Sequence, residues 1–396
     1  MTYSGNRRLG DLFSSRREKG RPGLPTLSVT LNDGLVNRED LDRKQETNLA
    51  PEEHLLVKPG DIAYNMMRMW QGAFGLANGQ GLVSPAYVIL RPKAVDPRYA
   101  SYWFKTKRML YLFWAYSYGL TDDRLRLYFP DFARIPCQVP QIEVQQQVAN
   151  CLEVWERSIE TVEHLIRGAR RQKRALVQRL LPRPHTPKTA HAGWNLVRLE
   201  DVVAFNPRKS KRPEDGRVSF LAMESVSEDG HVIRPTERQY DDVCTGYSAF
   251  QDADILVAKI TPCFENGKGA LVMGLTNGIG FGSTEFHVLR PRGDVYAGLI
   301  KHIVGSREFR LRGKSEMEGS AGQKRISSSF IRSFRFMCPQ TQAQQKEVAD
   351  LLDLADLEIH VFEDCRASLV KEFGALRERL CYDARYNSHL VHEAFV

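Results

Sequence analysis

Val148-Ala149-Asn150-Cys151-Leu152 returns 200 residues later as Val348-Ala349-Asp350-Leu351-Leu352, and that return decides how the chain is read. Further back, Val88-Ile89-Leu90-Arg91-Pro92 matches His287-Val288-Leu289-Arg290-Pro291 at an offset of 199. Gly60-Asp61-Ile62 matches Ala253-Asp254-Ile255 at 193, and Arg8-Leu9-Gly10-Asp11-Leu12 matches Arg198-Leu199-Glu200-Asp201-Val202 at 190. The offset only grows along the chain, as a duplication with insertions in its second copy requires; coincidence would scatter it. A period near 195 residues is far too long for a solenoid. Residues 1–182 and 195–381 are therefore two copies of one plan. Two similar domains in tandem suit a target in two parts.

Each copy ends in an expected long helix. From about Gln141 to Leu181 the apolar residues Val148, Leu152, Trp155, Ile159, Val162, Ile166, Ala169, Leu176 and Leu180 recur in alternating steps of four and three. That is a coiled-coil seam, interrupted only at Lys173. Pro182 and Pro184 stop it. From about Thr341 to Cys381 the row is Val348, Leu352, Ala355, Ile359, Phe362, Leu369, Phe373, Leu376 and Leu380, interrupted at Arg366. Each helix of roughly 40 residues spans about 60 Å at 1.5 Å per residue. The two are expected to pair, with Val148, Leu152, Trp155 and Ile159 of the first and Val348, Leu352, Ile359 and Phe362 of the second as seam residues; the alternative is that each packs on its own domain. Each polar interruption falls where the other copy is apolar, a device that fixes register.

The segment before each helix is rich in Gly, with short β-branched runs such as Tyr87-Val88-Ile89-Leu90 and Asp254-Ile255-Leu256-Val257-Ala258. Short helical stretches such as Tyr99–Thr106 intervene. Each is read as an α+β domain on a mostly antiparallel sheet. Between the copies, residues 183–194 are polar and Pro-rich, a linker composition.

The 396 residues are too many for one core, and 42% hydrophobic with 26% charged residues describes a soluble globular chain. No apolar run reaches membrane-spanning length, and the N-terminus carries no apolar stretch of signal-peptide type. Seven cysteines without C-x-x-C spacing argue against a zinc ribbon or a redox dithiol, and for a reduced, cytoplasmic protein. A net charge of +8 permits a polyanionic partner without requiring one.

Catalytic signatures are missing. There is no phosphate-binding loop: Gly313-Lys314-Ser315 lacks the upstream glycine, since Glu308 stands there. No dinucleotide fingerprint and no H-E-x-x-H occur. Asn206-Pro207-Arg208-Lys209 begins like an amino-methyltransferase motif but lacks the second proline and the aromatic ring. No catalytic residue and no metal ligand set are assigned.

Two regions in each copy suit nucleic acid. In the first copy, Tyr64–Gly75 mixes a cation, amides and aromatics between glycines; Arg68, Trp70 and Gln71 are the candidates. Arg reads guanine edges, and Asn or Gln reads adenine. A buried Met/Trp hairpin is the competing reading for the apolar members. Tyr118, Arg124 and Arg126 follow in a second stretch suited to phosphates. In the second copy Lys259–Gly269 takes the first place, with Lys259, Thr261, Asn266 and Lys268. Gly319–Arg325 takes the second, with Gln323, Lys324 and Arg325. The basic run Arg167–Arg174 lies on the helix and is read as a solvated face.

These strings carry a family resemblance. Asp61-Ile62-Ala63-Tyr64-Asn65, Trp70-Gln71-Gly72-Ala73 and Val83-Ser84-Pro85-Ala86-Tyr87 look like one form of the recognition domain of the specificity (S) subunit of type I restriction–modification systems. Lys259–Gly269 and Gly280-Phe281-Gly282-Ser283-Thr284-Glu285-Phe286 look like another. Pro140-Gln141-Ile142-Glu143-Val144-Gln145 is similar to that family's approach to its long helix; Pro339-Gln340-Thr341-Gln342-Ala343-Gln344-Gln345 departs from it and lacks the acidic pair. The resemblance covers nearly the whole chain in the expected order.

It implies a first target-recognition domain at 1–139, a coiled-coil helix at 140–182, a linker at 183–194, a second recognition domain at 195–338, a second helix at 339–382 and a tail at 383–396. The helices would pair as an antiparallel coiled coil with pseudo-twofold symmetry. Each domain would read half of a split double-stranded DNA target, and the helices would set the gap. Two modification subunits would supply S-adenosylmethionine and adenine methylation; restriction subunits would supply ATP- and Mg-dependent translocation and cleavage. This chain would hold no cofactor and perform no catalysis. The alternatives are a tandem-domain nuclease, which needs a carboxylate cluster not evident in the sequence, and a noncatalytic coiled-coil scaffold.

Overall fold

The computed structural model describes residues 7–41, 49–121, 124–182, 193–320 and 322–382. Most of the expected linker and all of the expected tail lie outside these residues. The chain divides into two compact units, Met1–His164 with Glu363–Val396, and Leu165–Phe362. Among the described residues no helix is long and apolar enough to cross a membrane.

The first unit begins with β1 (Arg7–Arg8), α1 (Leu9–Leu12) and β2 (Phe13–Arg16), followed by β3 (Leu27–Val29), β4 (Leu35–Asn37), β5 (Leu55–Val57), β6 (Ile62–Asn65), β7 (Phe74–Leu76), β8 (Gly81–Val83) and β9 (Tyr87–Pro92). Then come α2 (Pro97–Phe104), α3 (Lys107–Ala115), α4 (Phe129–Arg134), β10 (Pro136–Cys137) and the long α5 (Ile142–Leu180). Its main sheet has the order β2-β9-β6-β7, antiparallel throughout.

The second copy opens with β11 (Trp194–Arg198), α6 (Leu199–Val202), β12 (Val203–Phe205), β13 (Arg217–Leu221), β14 (Thr236–Gln239), α7 (Tyr240–Val243) and β15 (Ser248–Gln251). Next are β16 (Ile255–Ala258), β17 (Gly269–Leu271), β18 (Ile279–Gly282), β19 (Phe286–Pro291), α8 (Ala297–Val304) and α9 (Arg307–Ser315). It closes with β20 (Met317–Glu318), β21 (Arg325–Ile326), α10 (Ser328–Ser333), β22 (Arg335–Pro339) and the long α11 (Gln342–Tyr382). The order β12-β19-β16-β17 repeats the first sheet strand for strand. A second sheet, β14-β13-β18-β15, has a parallel β13–β18 pair; its counterparts in the first copy are the pairs β3-β4 and β5-β8, joined by a parallel Thr26–Leu82 bridge. The α+β, mostly antiparallel reading therefore holds.

Local chemistry repeats with the topology. Asp11 and Asp201 each accept from the amide three residues back, Arg8 N at 2.8 Å and Arg198 N at 3.0 Å, starting the same short helix. Asp96 caps α2, accepting from Arg98 N and Tyr99 N, and Pro97 supplies the preset first-turn φ. Ser306 and Ser327 cap α9 and α10.

The helix ends explain the unit boundaries. In the first unit Val148 and Leu152 share one core with Leu380, and Trp155, Phe373 and Leu376 pack against it. In the second, Val348 and Leu352 share a core that Leu176, Val177 and Leu180 cover. In both, the start of one helix meets the end of the other, so the long helices run antiparallel. Val148, Leu152, Val348, Leu352 and Ile359 are buried; Trp155, Ile159 and Phe362 are half-buried. Fully burying such side chains stabilises by about 1.5–3 kcal/mol each. Both polar seam residues find carboxylates: Lys173 pairs with buried Asp356 in the second unit, and Arg366 Nε donates to Glu163 at 2.7 Å in the first.

Candidate nucleic-acid interface

In each unit the first loop named from sequence joins the last two strands of the main sheet. Between β6 and β7, Asn65 Oδ1 accepts from Met67 N, Arg68 N donates to Asn65 O, and Ala73 N donates back to Arg68 O. A 3-10 turn over Met69–Gln71 ends on Gly72 at φ +91°, a left-handed conformation that suits glycine. The turn points Met69 inward and leaves Arg68 and Gln71 exposed. Trp70 is half-buried against the core, and its Nε1 donates to Met67 O at 3.2 Å; it shapes the loop from beneath.

The second loop lies beside the first. Leu127 N donates to Met66 O, and the buried Tyr64 hydroxyl donates to Leu127 O. Tyr118 and Arg126 exchange both backbone hydrogen bonds, at 3.0 and 2.9 Å. Arg124, Arg126 and a 61%-exposed Tyr118 therefore stand next to the Arg68 loop. Asp122 and Asp123 of this stretch lie outside the described residues. Among the described residues, Arg68, Arg124 and Arg126 make no side-chain ion pair.

The second unit repeats the pairing. Thr261 N donates to Lys324 O, Ile326 N donates to Lys259 O, and Thr261 Oγ1 bonds Gly322 O and Lys324 N. Lys259, Thr261, Asn266 and Lys268 are thus brought beside Gln323, Lys324 and Arg325. Here Lys259, Asn266, Lys268 and Arg325 are engaged. Arg325 lies bidentate on Glu285 at 2.8–3.1 Å. Lys259 Nζ donates to Thr284 O at 2.6 Å; burial draws its pKa down, and Glu285 offsets that in part. Asn266 Nδ2 donates to Glu228 Oε1, and Lys268 Nζ to Met223 O. The Arg325 guanidinium holds the Glu285 carboxyl below its ordinary range. Thr261 and Lys268 fasten the loops, while Asn266, Gln323, Lys324 and Arg325 face solvent.

Two features escaped the sequence reading. Buried Gln145 accepts from Asp96 N and donates to Pro140 O, and buried Gln345 accepts from Tyr296 N and donates to Pro339 O. The same amide fastens each domain to the start of its helix. Its signal was a Gln repeated at the 200-residue offset. The second feature is Asp229, His231 and His360, far apart in sequence, whose ligand atoms lie within 4.8 Å of one another.

The architecture defines the class: a duplicated α+β chain, each copy ending in a long helix and presenting two joined, polar, exposed loops. No family model matches it. Over 169 residues, 42% of the chain, it is 36% identical to the type I restriction enzyme EcoAI specificity subunit of Escherichia coli. Over 158 residues, 39% of the chain, it is 35% identical to the EcoEI specificity subunit of the same organism. The matches span 28% and 27% of those relatives' own lengths, so the chain matches little more than a quarter of each. A chain from a solved type I restriction–modification system superposes with a TM-score of 0.58 at 13% identity, over 97% of this chain and 99% of that one. The type I S subunit from M. genitalium gives 0.55 at 14%, over 96% of both. The chain thus resembles type I specificity subunits in sequence over part of its length and has their fold over nearly all of it.

Proposed function

We propose that this chain is a DNA-specificity subunit of a type I restriction–modification complex, each loop pair reading one half of a two-part double-stranded target. One observation carries the reading: two exposed loops rich in cations and amides are fastened together at the same place on the same sheet, twice. Arg68, Gln71 and Asn266 suit base edges; Tyr118, Arg124, Arg126, Gln323, Lys324 and Arg325 suit the backbone and its phosphates. Trp70, Lys259, Thr261 and Lys268 hold the loops in shape. The paired helices set the gap between half-sites.

In this reading residues 1–139 and 195–338 are the recognition domains, and the chain is noncatalytic, cytoplasmic and without a cofactor for the reaction. S-adenosylmethionine, ATP and Mg²⁺ belong to two modification subunits and to restriction subunits. The exposed apolar row Leu351, Leu354, Leu357 and Val361 on α11 supports a partner-bearing helix.

The test is the methylated motif produced by this chain with its modification subunits. Replacing residues 195–338 with the equivalent region of a relative is expected to change one half-site and leave the other. A motif changed in both halves, or in neither, overturns the reading. The isolated chain is expected neither to methylate DNA with S-adenosylmethionine nor to cut it with Mg²⁺.

A further inference from the structure

We propose that Asp229, His231 and His360 form a binding site for one divalent first-row transition-metal ion, with Zn²⁺ the best chemical fit. The ion would clip the Ser227–His231 turn to α11 within the second unit.

The turn is built to hold two ligands. Val226 and Val232 bridge its base, Ser227 N donates to His231 O at 2.9 Å, and His231 N donates to Ser227 Oγ at 2.9 Å. Gly230, at φ +98°, reverses the chain between Asp229 and His231. The third ligand comes from the helix. His360 Nδ1 meets Asp356 O at 2.8 Å, which directs Nε2 outward to Asp229 Oδ2 at 2.5 Å. A ring nitrogen anchored on a backbone carbonyl is the usual support of a metal-binding imidazole. The His231 ring packs edge-on against His360 with centroids 4.8 Å apart, and among the described residues it makes no ring hydrogen bond.

Two imidazoles and a carboxylate are a borderline ligand set that Zn²⁺ accepts at about 2.0–2.2 Å, with water completing the shell. Bonds of that length in tetrahedral array put ligand atoms about 3.3 Å apart. The cluster reaches this when the Asp229–His360 pair opens by roughly 1 Å and His231 closes in.

Neighbouring side chains supply a contrast. His302, Asp353 and Asp356 also gather closely. There Asp353 already takes Lys301 Nζ at 2.8 Å and His302 Nε2 at 2.9 Å, and Asp356 takes Lys173. Protein cations fill that cluster, whereas Asp229 has no Lys or Arg ion-paired to it among the described residues. The first copy supplies a second contrast. Its Thr30–Gly34 turn is closed in the same way, Thr30 N donating to Gly34 O at 2.7 Å. It places Asn32 and Gly34 where the second copy has Asp229 and His231. Glu160, 200 residues before His360, lines the groove beside Asn32. The ligand set is an acquisition of one copy, so a need common to both turns does not account for it.

The full chain, stripped with a chelator, is titrated with Zn²⁺ in a calorimeter and with Co²⁺ by absorbance. One equivalent is expected, with a Zn²⁺-dependent rise in Tm and Co²⁺ bands lacking thiolate charge transfer. His231→Ala and His360→Gln should each weaken binding at least tenfold and abolish the Tm rise. Asp229→Asn, which keeps the turn polar, should weaken it with no change in circular dichroism. No stoichiometric binding, binding unchanged in all three variants, or a thiolate band from the cysteines would overturn the assignment. None of these readouts involves DNA, so the result stands apart from the recognition reading.

Discussion

The loop pair of the first copy presents cations that no neighbouring carboxylate claims among the described residues; that of the second presents Arg325, Lys259 and Lys268 already held. Arg68, Arg124 and Arg126 face solvent, while Arg325 sits on Glu285 and Lys259 on a carbonyl. Both pairs are fastened by the same backbone ladder. The scaffold and the reading surface are therefore separate inheritances: the duplication preserved the strands that position the loops and released the side chains on them. The buried polar groups underneath follow neither rule completely, and they supply the sharpest tests.

The largest effect is expected at the turn preceding β6 and β16. Asp61 and Asp254 are both buried, and both accept the amide three residues back. Their guanidiniums come from different strands: Arg16 of β2 in the first copy, Arg290 of β19 in the second. Arg16 also reaches Glu18 at 3.4 Å, while Arg290 has no second ion pair among the described residues. Asp254→Ala should destabilise its unit by about 3–5 kcal/mol, since it strands a charge. Asp61→Ala should cost less, because Glu18 still serves Arg16. Urea midpoints decide; equal losses would mean that Glu18 does not compensate.

Next comes a buried histidine present in one copy only. His287 stands where the first copy has Val88. Its Nε2 meets Ile326 O at 3.2 Å, and its Nδ1 has no hydrogen-bond partner among the described residues. Burial pulls its pKa down to about 4, against the Ile326 carbonyl that supports the charged form. The unfolded chain, titrating near the ordinary value of about 6.5, then binds more protons than the fold between those limits. Stability should fall as pH drops from about 6.5 to 4, by about 3 kcal/mol, and level off below. His287→Val should remove that slope whatever it does to stability at pH 7. A variant that keeps the wild-type slope would place the acid sensitivity elsewhere.

A smaller, functional contrast concerns charge. Each phosphate contact contributes about one to the salt slope of DNA binding. Arg124→Ala should lower the slope by about one, whereas Glu285→Gln should raise it by releasing Arg325. Binding isotherms at several salt concentrations separate the two signs. A slope that Glu285→Gln leaves unchanged would mean that Arg325 never reaches the nucleic acid.

Much of this was legible in the sequence because duplication makes its own control. Helix bounds from the apolar seam lie within one residue of Ile142–Leu180 and Gln342–Tyr382, since a heptad repeat constrains every turn. The pairing of the two loop regions in each copy was not legible. It rests on backbone hydrogen bonds such as Thr261 N to Lys324 O, and amides carry no sequence signature. Nor was the state of Lys259 and Arg325, because partners such as Thr284 O and Glu285 are set by strand register. Gln145 and Gln345 were overlooked because an amide among several glutamines stands out only once its burial is known.

The smallest expected effect isolates backbone strain. Gly60 and Ala253 hold the same place before the buried aspartate, and both adopt the left-handed region, at φ +84° and +68°. Only the second bears a Cβ there, which costs about 1–2 kcal/mol in that conformation. A Cβ built on Gly60 would meet nothing nearer than Pro97 Cγ at 3.9 Å, so Gly60→Ala would feel conformation rather than collision. Ala253→Gly relieves the strain but loosens the unfolded chain by about 0.4–1 kcal/mol, leaving a net gain of about 0.5–1 kcal/mol. Gly60→Ala should lose a similar amount. Measured by urea unfolding, the exchange should move the two units in opposite directions. If Ala253→Gly destabilised its unit, the alanine would have to be making a contact worth more than its strain, and the copies would differ in packing at a turn where their backbones agree.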